Sequence, residues 1–305
     1  MDEKKIIACV TGASGMVGRR IVERLLCNGH RVRVLTRKDF YEDPRVDLFC
    51  GGLEEEETLS SFIHHADILF HCAAELKDEA KMWRVNVEGT ERLIRFAENE
   101  NIQYLCYLSS AGVVGRTNNK WVDENTDCKP QNVYEKSKWQ AEQMLSKGID
   151  GCNVLILRPT NVIDDKRLGA IASVRDGTIL GRLKLFLKGG ECAHIVHAED
   201  VADAAIFFVL KRCDRPQIFF VSCDHEPMNT YAGIWAIYKG IEKKQQTEDV
   251  RSVSHVPLII PHVMRRLWRG TGNKGDVRYS SKRLMDTGFR FSLGLEGALR
   301  RTISK

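Results

Sequence analysis

Thr11-Gly12-Ala13-Ser14-Gly15-Met16-Val17-Gly18 follows a short apolar run, Lys5 to Val10, and leads into a helical pattern. In that pattern Val17, Ile21 and Leu25 are apolar, Arg19, Arg20, Glu23 and Arg24 are polar, and Asn28-Gly29 is the stop. Strand, glycine-rich turn and helix in this order is the context in which glycines serve a dinucleotide. They let the backbone turn tightly and approach a pyrophosphate, which then rests on the positive helix N-terminus. Gly12, Ser14, Gly15, Met16, Val17 and Gly18 are therefore expected to bind the cofactor. The spacing is Gly-x-x-Gly-x-x-Gly rather than Gly-x-Gly-x-x-Gly, and an ordinary strand-to-helix turn is the plain alternative.

Outward from the turn, Arg31 to Thr36 alternates as a second strand. Folds that use NAD place a carboxylate at this strand's end, to accept from the ribose 2′-hydroxyl. Here Thr36 stands there, followed by Arg37 and Lys38. A guanidinium can pair with a 2′-phosphate that a carboxylate would repel. The expected cofactor is therefore NADP in preference to NAD, unless Arg37 only stacks on the adenine. Val46 to Cys50 reads as a third strand, Thr58 to His65 as a helix, and Asp67 to Ala74 as a fourth strand. The small residues Ala73 and Ala74 would let a ribose lie close. Met82 to Glu98 reads as one long helix, and Tyr104 to Leu108 as a fifth strand ending at Ser109-Ser110. Alternating strands and helices predict an α/β fold with a doubly wound parallel sheet of Rossmann type, its ligand outside the carboxyl ends of the strands.

Tyr134-Glu135-Lys136-Ser137-Lys138 supplies the chemistry. On a helix, Tyr134 and Lys138 share a face one turn apart. An ammonium beside a phenol favours the phenolate, so the spacing predicts a Tyr134 pKa below its ordinary value and a usable acid/base. A solvated helix face would show the same spacing; the glycine turn and the upstream serine pair favour the catalytic reading.

Bulk properties set limits. The chain has 305 residues, 43% hydrophobic and 29% charged, with a formal net charge of +5. That charge is spread along the sequence, which argues against a nucleic-acid partner. The densest basic stretch, Arg265-Arg266-Leu267-Trp268-Arg269, reads as a helix face ahead of an anionic-ligand or membrane-surface contact. No apolar run reaches the roughly 18 residues of a membrane span, and the N-terminal apolar run is too short for a signal peptide. Ten cysteines occur without a Cys-x-x-Cys pair, several within apolar runs. No metal site is read from them, and a cytoplasmic chain without a membrane partner is expected.

The motifs in sequence resemble the extended short-chain dehydrogenase/reductases, of the NAD-dependent epimerase/dehydratase family. They are Thr11-Gly12 with Gly15 and Gly18, His71-Cys72-Ala73-Ala74, Asn86-Val87-Glu88-Gly89-Thr90, Ser109-Ser110 with Gly115, and Tyr134 with Lys138. Leu157-Arg158-Pro159-Thr160-Asn161-Val162, His197-Ala198-Glu199-Asp200-Val201-Ala202 and the segment Ser281 to Phe289 continue the series. The resemblance implies a dinucleotide domain over 1–157. It also implies a mainly substrate-binding region over 158–305, interleaved with last sheet strands at Ile195 to His197 and Ile218 to Ser222. It implies a catalytic set of Ser110, Tyr134 and Lys138, with Lys138, Pro159 and Asn161 also near the cofactor. Ser110 is taken over Ser109 because it stands five before Gly115.

Departures narrow the activity. The family's 4,6-dehydratases carry Asp-Glu after the catalytic Ser or Thr, where this chain has Ala111-Gly112. Its sugar-nucleotide epimerases place an arginine where Ala193 stands here, with His194 beside it, although Asn161 matches. Lys274-Gly275-Asp276 falls where a second arginine often lies. His197 and Asp200 read as structural, at a helix start. Val256 to Trp268 reads as an apolar-basic helix that either packs in the core or caps the pocket. The implied activity is hydride transfer between NADP(H) and a secondary alcohol or ketone. A nucleotide-sugar 4-epimerase with tightly held NAD(P) is the alternative. A homodimer is expected, through the helices around Met82–Glu98 and Tyr134–Ser146, with Trp83, Phe96 and Trp139 as candidate contacts.

Overall fold

A computed structural model of the chain describes residues 6–37, 43–175, 178–211, 213, 215–243, 254–269 and 273–303. Lys38 and the side chains of Arg265, Trp268 and Arg269 lie outside the described residues. The strands are β1 (Ile7–Thr11), β2 (Arg31–Thr36), β3 (Val46–Cys50), β4 (Ile68–His71), β5 (Tyr104–Leu108), β6 (Trp121–Val122), β7 (Asn153–Pro159), β8 (Asn161–Ile163), β9 (Ile195–His197), β10 (Gln217–Val221) and β11 (Arg278–Tyr279). The helices are α1 (Met16–Cys27), α2 (Glu56–Ile63), α3 (Glu79–Trp83), α4 (Gly89–Asn99), α5 (Val133–Leu145), α6 (Ala172–Arg175), α7 (Ile179–Lys188), α8 (Ala198–Phe207), α9 (Tyr231–Lys243), α10 (Ile259–Arg269), α11 (Lys282–Asp286) and α12 (Gly294–Ile303).

The chain divides into two compact units, one of Met1–Val113, Pro130–Arg158 and Val201–Phe219, the other of Val114–Lys129, Pro159–Asp200 and Phe220–Lys305. The first is built on a seven-stranded parallel sheet in the order β3-β2-β1-β4-β5-β7-β10. Strands covered on both faces must be apolar throughout, and β4 is buried along its whole length. Against the sheet α1 packs Val17, Ile21, Val22, Leu25 and Leu26, a helical stripe of the expected period. Strand order reverses between β1 and β4, which makes their carboxyl ends the crevice of a doubly wound sheet. The register puts those ends in one row: Thr11 lies beside Leu35 and His71, and His71 beside Tyr107.

The expected helix over Met82–Glu98 is interrupted. Between α3 and α4, Arg84 to Glu88 form one π-helical turn. The wider turn accommodates a buried Asn86, whose Oδ1 accepts from the Glu75 N–H (2.8 Å) and whose Nδ2 donates to Ser137 Oγ (3.0 Å). Such single π turns mark places where a side chain must be placed against its helix's regular period.

In the second unit, β8 pairs with β9 and β6 with β11 in two small sheets. Ile195–His197 was expected in the main sheet and instead pairs with Asn161–Ile163. Buried Asp200 accepts from Ser292 Oγ (3.0 Å) and the Leu293 N–H (2.9 Å), which anchors the chain leading into α12. His197 Nδ1 accepts from the Glu199 N–H (3.1 Å) in the first turn of α8. No helix among the described residues is long and apolar enough to cross a membrane.

Candidate active site

The glycine turn is shaped by contacts no side chain would allow. Gly12 has φ +69°, and a Cβ there would lie 2.5 Å from the Ala73 nitrogen. A Cβ on Gly18 would lie 2.4 Å from Gly12 O. The turn closes through Gly15 N–H donating to Gly12 O (2.9 Å). Helix α1 then starts with no side-chain cap and no acidic residue in its first turn. Its first N–H groups therefore lack the partner that Ser, Thr or Asp usually supplies, the condition in which a helix N-terminus receives an anion. Ser14 is exposed, Met16 half-buried and Val17 buried at this rim. The cradle fits a pyrophosphate. Thr11 Oγ1 ties it to β4, bonding His71 Nδ1 (2.8 Å) and accepting from the Ala73 N–H (3.2 Å). Ala73 and Ala74 are half-buried beside it.

Helix α5 places the chemistry. It starts at Asn132, whose side chain accepts from the Glu135 N–H (2.9 Å), while Glu135 Oε2 accepts from the Gln131 N–H (2.7 Å). This Asn-x-x-Glu cap, with Glu135 reaching the residue before the cap, is a start signal legible in the sequence, and it sets Tyr134 in the first turn. The Tyr134 phenol is hydrogen-bonded to Ser110, and Ser110 Oγ also accepts from the Gly112 N–H (3.1 Å). Ser109 Oγ is buried and has no hydrogen-bond partner among the described residues. Of the two serines, the one that reaches Tyr134 is Ser110.

Lys138 is buried. Its Nζ donates to Leu108 O (2.8 Å) and sits 4.6 Å from the centroid of the Tyr107 ring. The expectation for Tyr134 is reversed here: burial raises its pKa above 10.0, the Ser110 hydrogen bond only partly offsetting this. Desolvation sets the sign, while the Lys138 ammonium is engaged by the Leu108 carbonyl and the Tyr107 ring. Burial in turn lowers Lys138 from 10.5 to about 8, with Cys72 and Glu142 opposing the shift. Both groups therefore carry their protons at neutral pH, and Tyr134 is poised as a proton donor. For Lys138 the folded pKa lies below the unfolded one. Holding it charged costs stability below about pH 8, and that cost fades as pH rises from there toward 10.5.

Of the other groups around Lys138, His71, Asn86 and Arg158 entered the sequence reading as members of the family motifs and Ser137 as structural, without a part in the chemistry. His71 is held between Thr11 Oγ1 and Thr90 Oγ1 (3.0 Å from Nε2). Burial, aided by the Lys138 charge, pushes its pKa down to about 3, so it is neutral. Asn86 holds Ser137 Oγ, which donates to Tyr134 O (2.8 Å). Arg158 donates from Nε and Nη2 to Glu142 (3.1 and 2.6 Å), both side chains buried, joining β7 to α5 one turn beyond Lys138. A charge inside the apolar run of β7 signals a hidden partner, and Glu142, four residues after Lys138, offers it.

Thr36 ends β2 half-buried, and the exposed Arg37 follows; its charge is among the smaller influences that lower the Glu54 carboxyl. In the second unit, Pro159 ends β7, and Asn161 is tied to the backbone, its Nδ2 donating to Ala193 O (2.7 Å). Ala193 is buried, while His194 Nδ1 pairs with the buried Asp224 (2.6 Å). A cavity of about 440 Å³ in this unit is walled by Arg116, Lys120, Arg266 and Lys274, with His262 and Asp276.

The family model described as the NAD dependent epimerase/dehydratase family matches residues 8–221. The chain is 29% identical over 224 residues to the N-acetyl-alpha-D-glucosaminyl-diphospho-ditrans,octacis-undecaprenol 4-epimerase of Escherichia coli O157:H7, covering 68% of this chain and 67% of that protein. It is 28% identical over 320 residues to the decarboxylating sterol-4-alpha-carboxylate 3-dehydrogenase of Dictyostelium discoideum, covering 93% and 94%. Two other curated relatives are matched over 52% and 55% of their own length. Among solved structures, the Bordetella bronchiseptica enzyme WbmG in complex with NAD aligns with a TM-score of 0.74 at 17% identity, over 99% of this chain and 94% of that one. At that identity the likeness is one of fold.

Proposed function

Because the chain belongs to the NAD dependent epimerase/dehydratase family, we propose that it is an NADP(H)-dependent oxidoreductase interconverting a secondary alcohol and a ketone. The observation that carries this reading is the Ser110–Tyr134 hydrogen bond, with Lys138 one turn on and both acids protonated at neutral pH. A nicotinamide, when bound, would supply or take the hydride at the reacting carbon. Tyr134 gives its phenolic proton to the oxygen of that carbon in reduction and recovers it in oxidation. Ser110 donates a hydrogen bond to the same oxygen as its negative charge develops. The Lys138 cation favours the phenolate left by that proton transfer, which regains its proton from water, and, in this reading, Lys138 holds the nicotinamide ribose. Gly12 to Gly18 would receive the pyrophosphate and Ala73 and Ala74 would border the cofactor; Pro159 and Asn161 are assigned to it by the family resemblance alone. Hydride loss from NADPH on addition of ketones, with alcohol recovered in equal amount, tests the reading; a chain that never consumes free cofactor overturns it.

That second outcome would favour an epimerase, in which the same Tyr134 and Lys138 would serve the proton transfer while a tightly held NAD(P) takes a hydride from, and returns it to, one carbon of a nucleotide sugar or related diphosphate sugar. The similarity to the Escherichia coli epimerase supports this alternative, and the longer match to the sterol dehydrogenase supports the first. Mass spectrometry of the small molecule that co-purifies separates the substrate classes. A homodimer through α4 and α5 belongs to the same proposal, with Trp83 exposed on α3 beside them. A monomer by light scattering at micromolar concentration removes it.

The preference for NADP is the finer part of the reading. Arg37 is exposed directly after Thr36, where a 2′-phosphate would meet it. A charge-assisted contact contributes about 1.5–3 kcal/mol, roughly ten- to hundredfold in affinity. Arg37→Ala is expected to weaken NADP by that factor and NAD far less. Adding Thr36→Asp should reverse the preference. Fluorescence titration of both cofactors checks this, and equal binding of the two by the wild type would sink it.

A further inference from the structure

Fifteen large apolar side chains are exposed among the described residues, and nine of them sit on two helices of the second unit. On α7 they are Ile179, Leu180, Leu183 and Phe186; on α10 they are Ile259, Ile260, Val263, Met264 and Leu267. The spacings, i, i+1, i+4 and so on, make one stripe per helix. Leu267 is 81% exposed and Ile179 89%, so these stripes do not face the unit's own core. The two helices pack on each other, and the segment entering α10 is bonded to the end of α7, Val256 N–H to Phe186 O (2.9 Å). Neither helix contains an acidic residue. The α7 sequence carries Arg182, Lys184 and Lys188, and the α10 sequence three arginines.

We propose that this face lies on an anionic phospholipid bilayer, the leucine and isoleucine stripes entering the acyl boundary and the cations meeting the headgroup phosphates. Charge selects this occupant. A second copy of the chain would set one all-basic helix pair against another, since a twofold contact opposes a surface to itself. Interface cores are also depleted in charge, whereas a helix that lies flat on a membrane pairs an aliphatic face with Lys and Arg. Residues of α10 add a second anion-seeking feature. His262 and Arg266 line the 440 Å³ cavity with Arg116, Lys120 and Lys274, against the single carboxylate Asp276. A contact of this kind needs no spanning segment.

The test is flotation of the full chain with vesicles of phosphatidylcholine plus phosphatidylglycerol, and with phosphatidylcholine alone. The wild type is expected to float with the mixed vesicles, less with the neutral ones, and less again at high salt. Leu183→Glu with Leu267→Glu should lower partitioning at least about tenfold for each leucine withdrawn from the acyl layer. Arg182→Glu with Lys188→Glu should abolish the preference for the anionic vesicles. Circular dichroism and cofactor titration, unchanged in these surface variants, establish that they are folded. No flotation, or flotation indifferent to both pairs of substitutions, overturns the proposal. So does a dimer that the leucine substitutions convert to monomer in light scattering, which would assign the face to a second copy.

Discussion

Tyr134→Phe is expected to bind dinucleotide as the wild type does and to lose about 10²–10⁴ in turnover, the usual contribution of a positioned general acid/base. Only the hydroxyl is removed. The ring stays in the first turn of α5 between its cap at Asn132 and the Ser137 contact, so helix and cofactor cradle keep their places. What is lost is the proton that burial holds on the phenol and the hydrogen bond to Ser110. With Tyr134 protonated and Lys138 at about 8, the reductive direction should be nearly flat through neutral pH. It should decline as Lys138 gives up its proton. Single-turnover rates of hydride transfer, measured beside cofactor affinity, separate chemistry from binding. Undiminished turnover in the phenylalanine variant would remove Tyr134 from the chemistry.

The sheet was legible because its signals are local. Strands β2, β3 and β5 have the bounds read from alternation and apolar runs. Gly12 and Gly18 were legible because the glycine spacing after a strand is local, although the close approach that leaves glycine as the only fit at Gly12 is to Ala73, just past β4. What escaped is what depends on three-dimensional neighbours. The spacing of Tyr134 and Lys138 says that they share a face, and nothing in it says that Leu108 O and the Tyr107 ring would claim the ammonium. Desolvation then sets the sign of the Tyr134 shift, and burial is a property of the whole fold. The π turn at Arg84–Glu88 is likewise invisible to a period count, because it exists to bury Asn86 against a residue 51 positions away. The place of β9 was misread since a three-residue apolar strand fits either the main sheet or a two-stranded one.

Arg158→Met should lower stability by about 3–5 kcal/mol, because it leaves the Glu142 carboxylate buried without its partner. Glu142 is 0% and Arg158 2% exposed, and the guanidinium meets the carboxylate from two nitrogens, so solvent cannot replace it. The Trp139 ring lies 5.8 Å from the same guanidinium, which leaves an apolar wall where a methionine can pack. Adding Glu142→Leu is therefore expected to restore most of the loss, since a buried pair replaced by apolar residues of similar volume is often neutral. Denaturant midpoints of the two variants give the comparison directly. The function of the pair is then read from the double variant. Glu142 is among the charges that hold the Lys138 pKa up, so its removal should shift the alkaline limb of the pH profile to lower pH. A stable double variant with the wild-type profile would make the ion pair purely a strut between β7 and α5. A single variant that loses under about 1 kcal/mol would show that the carboxylate finds water or another donor.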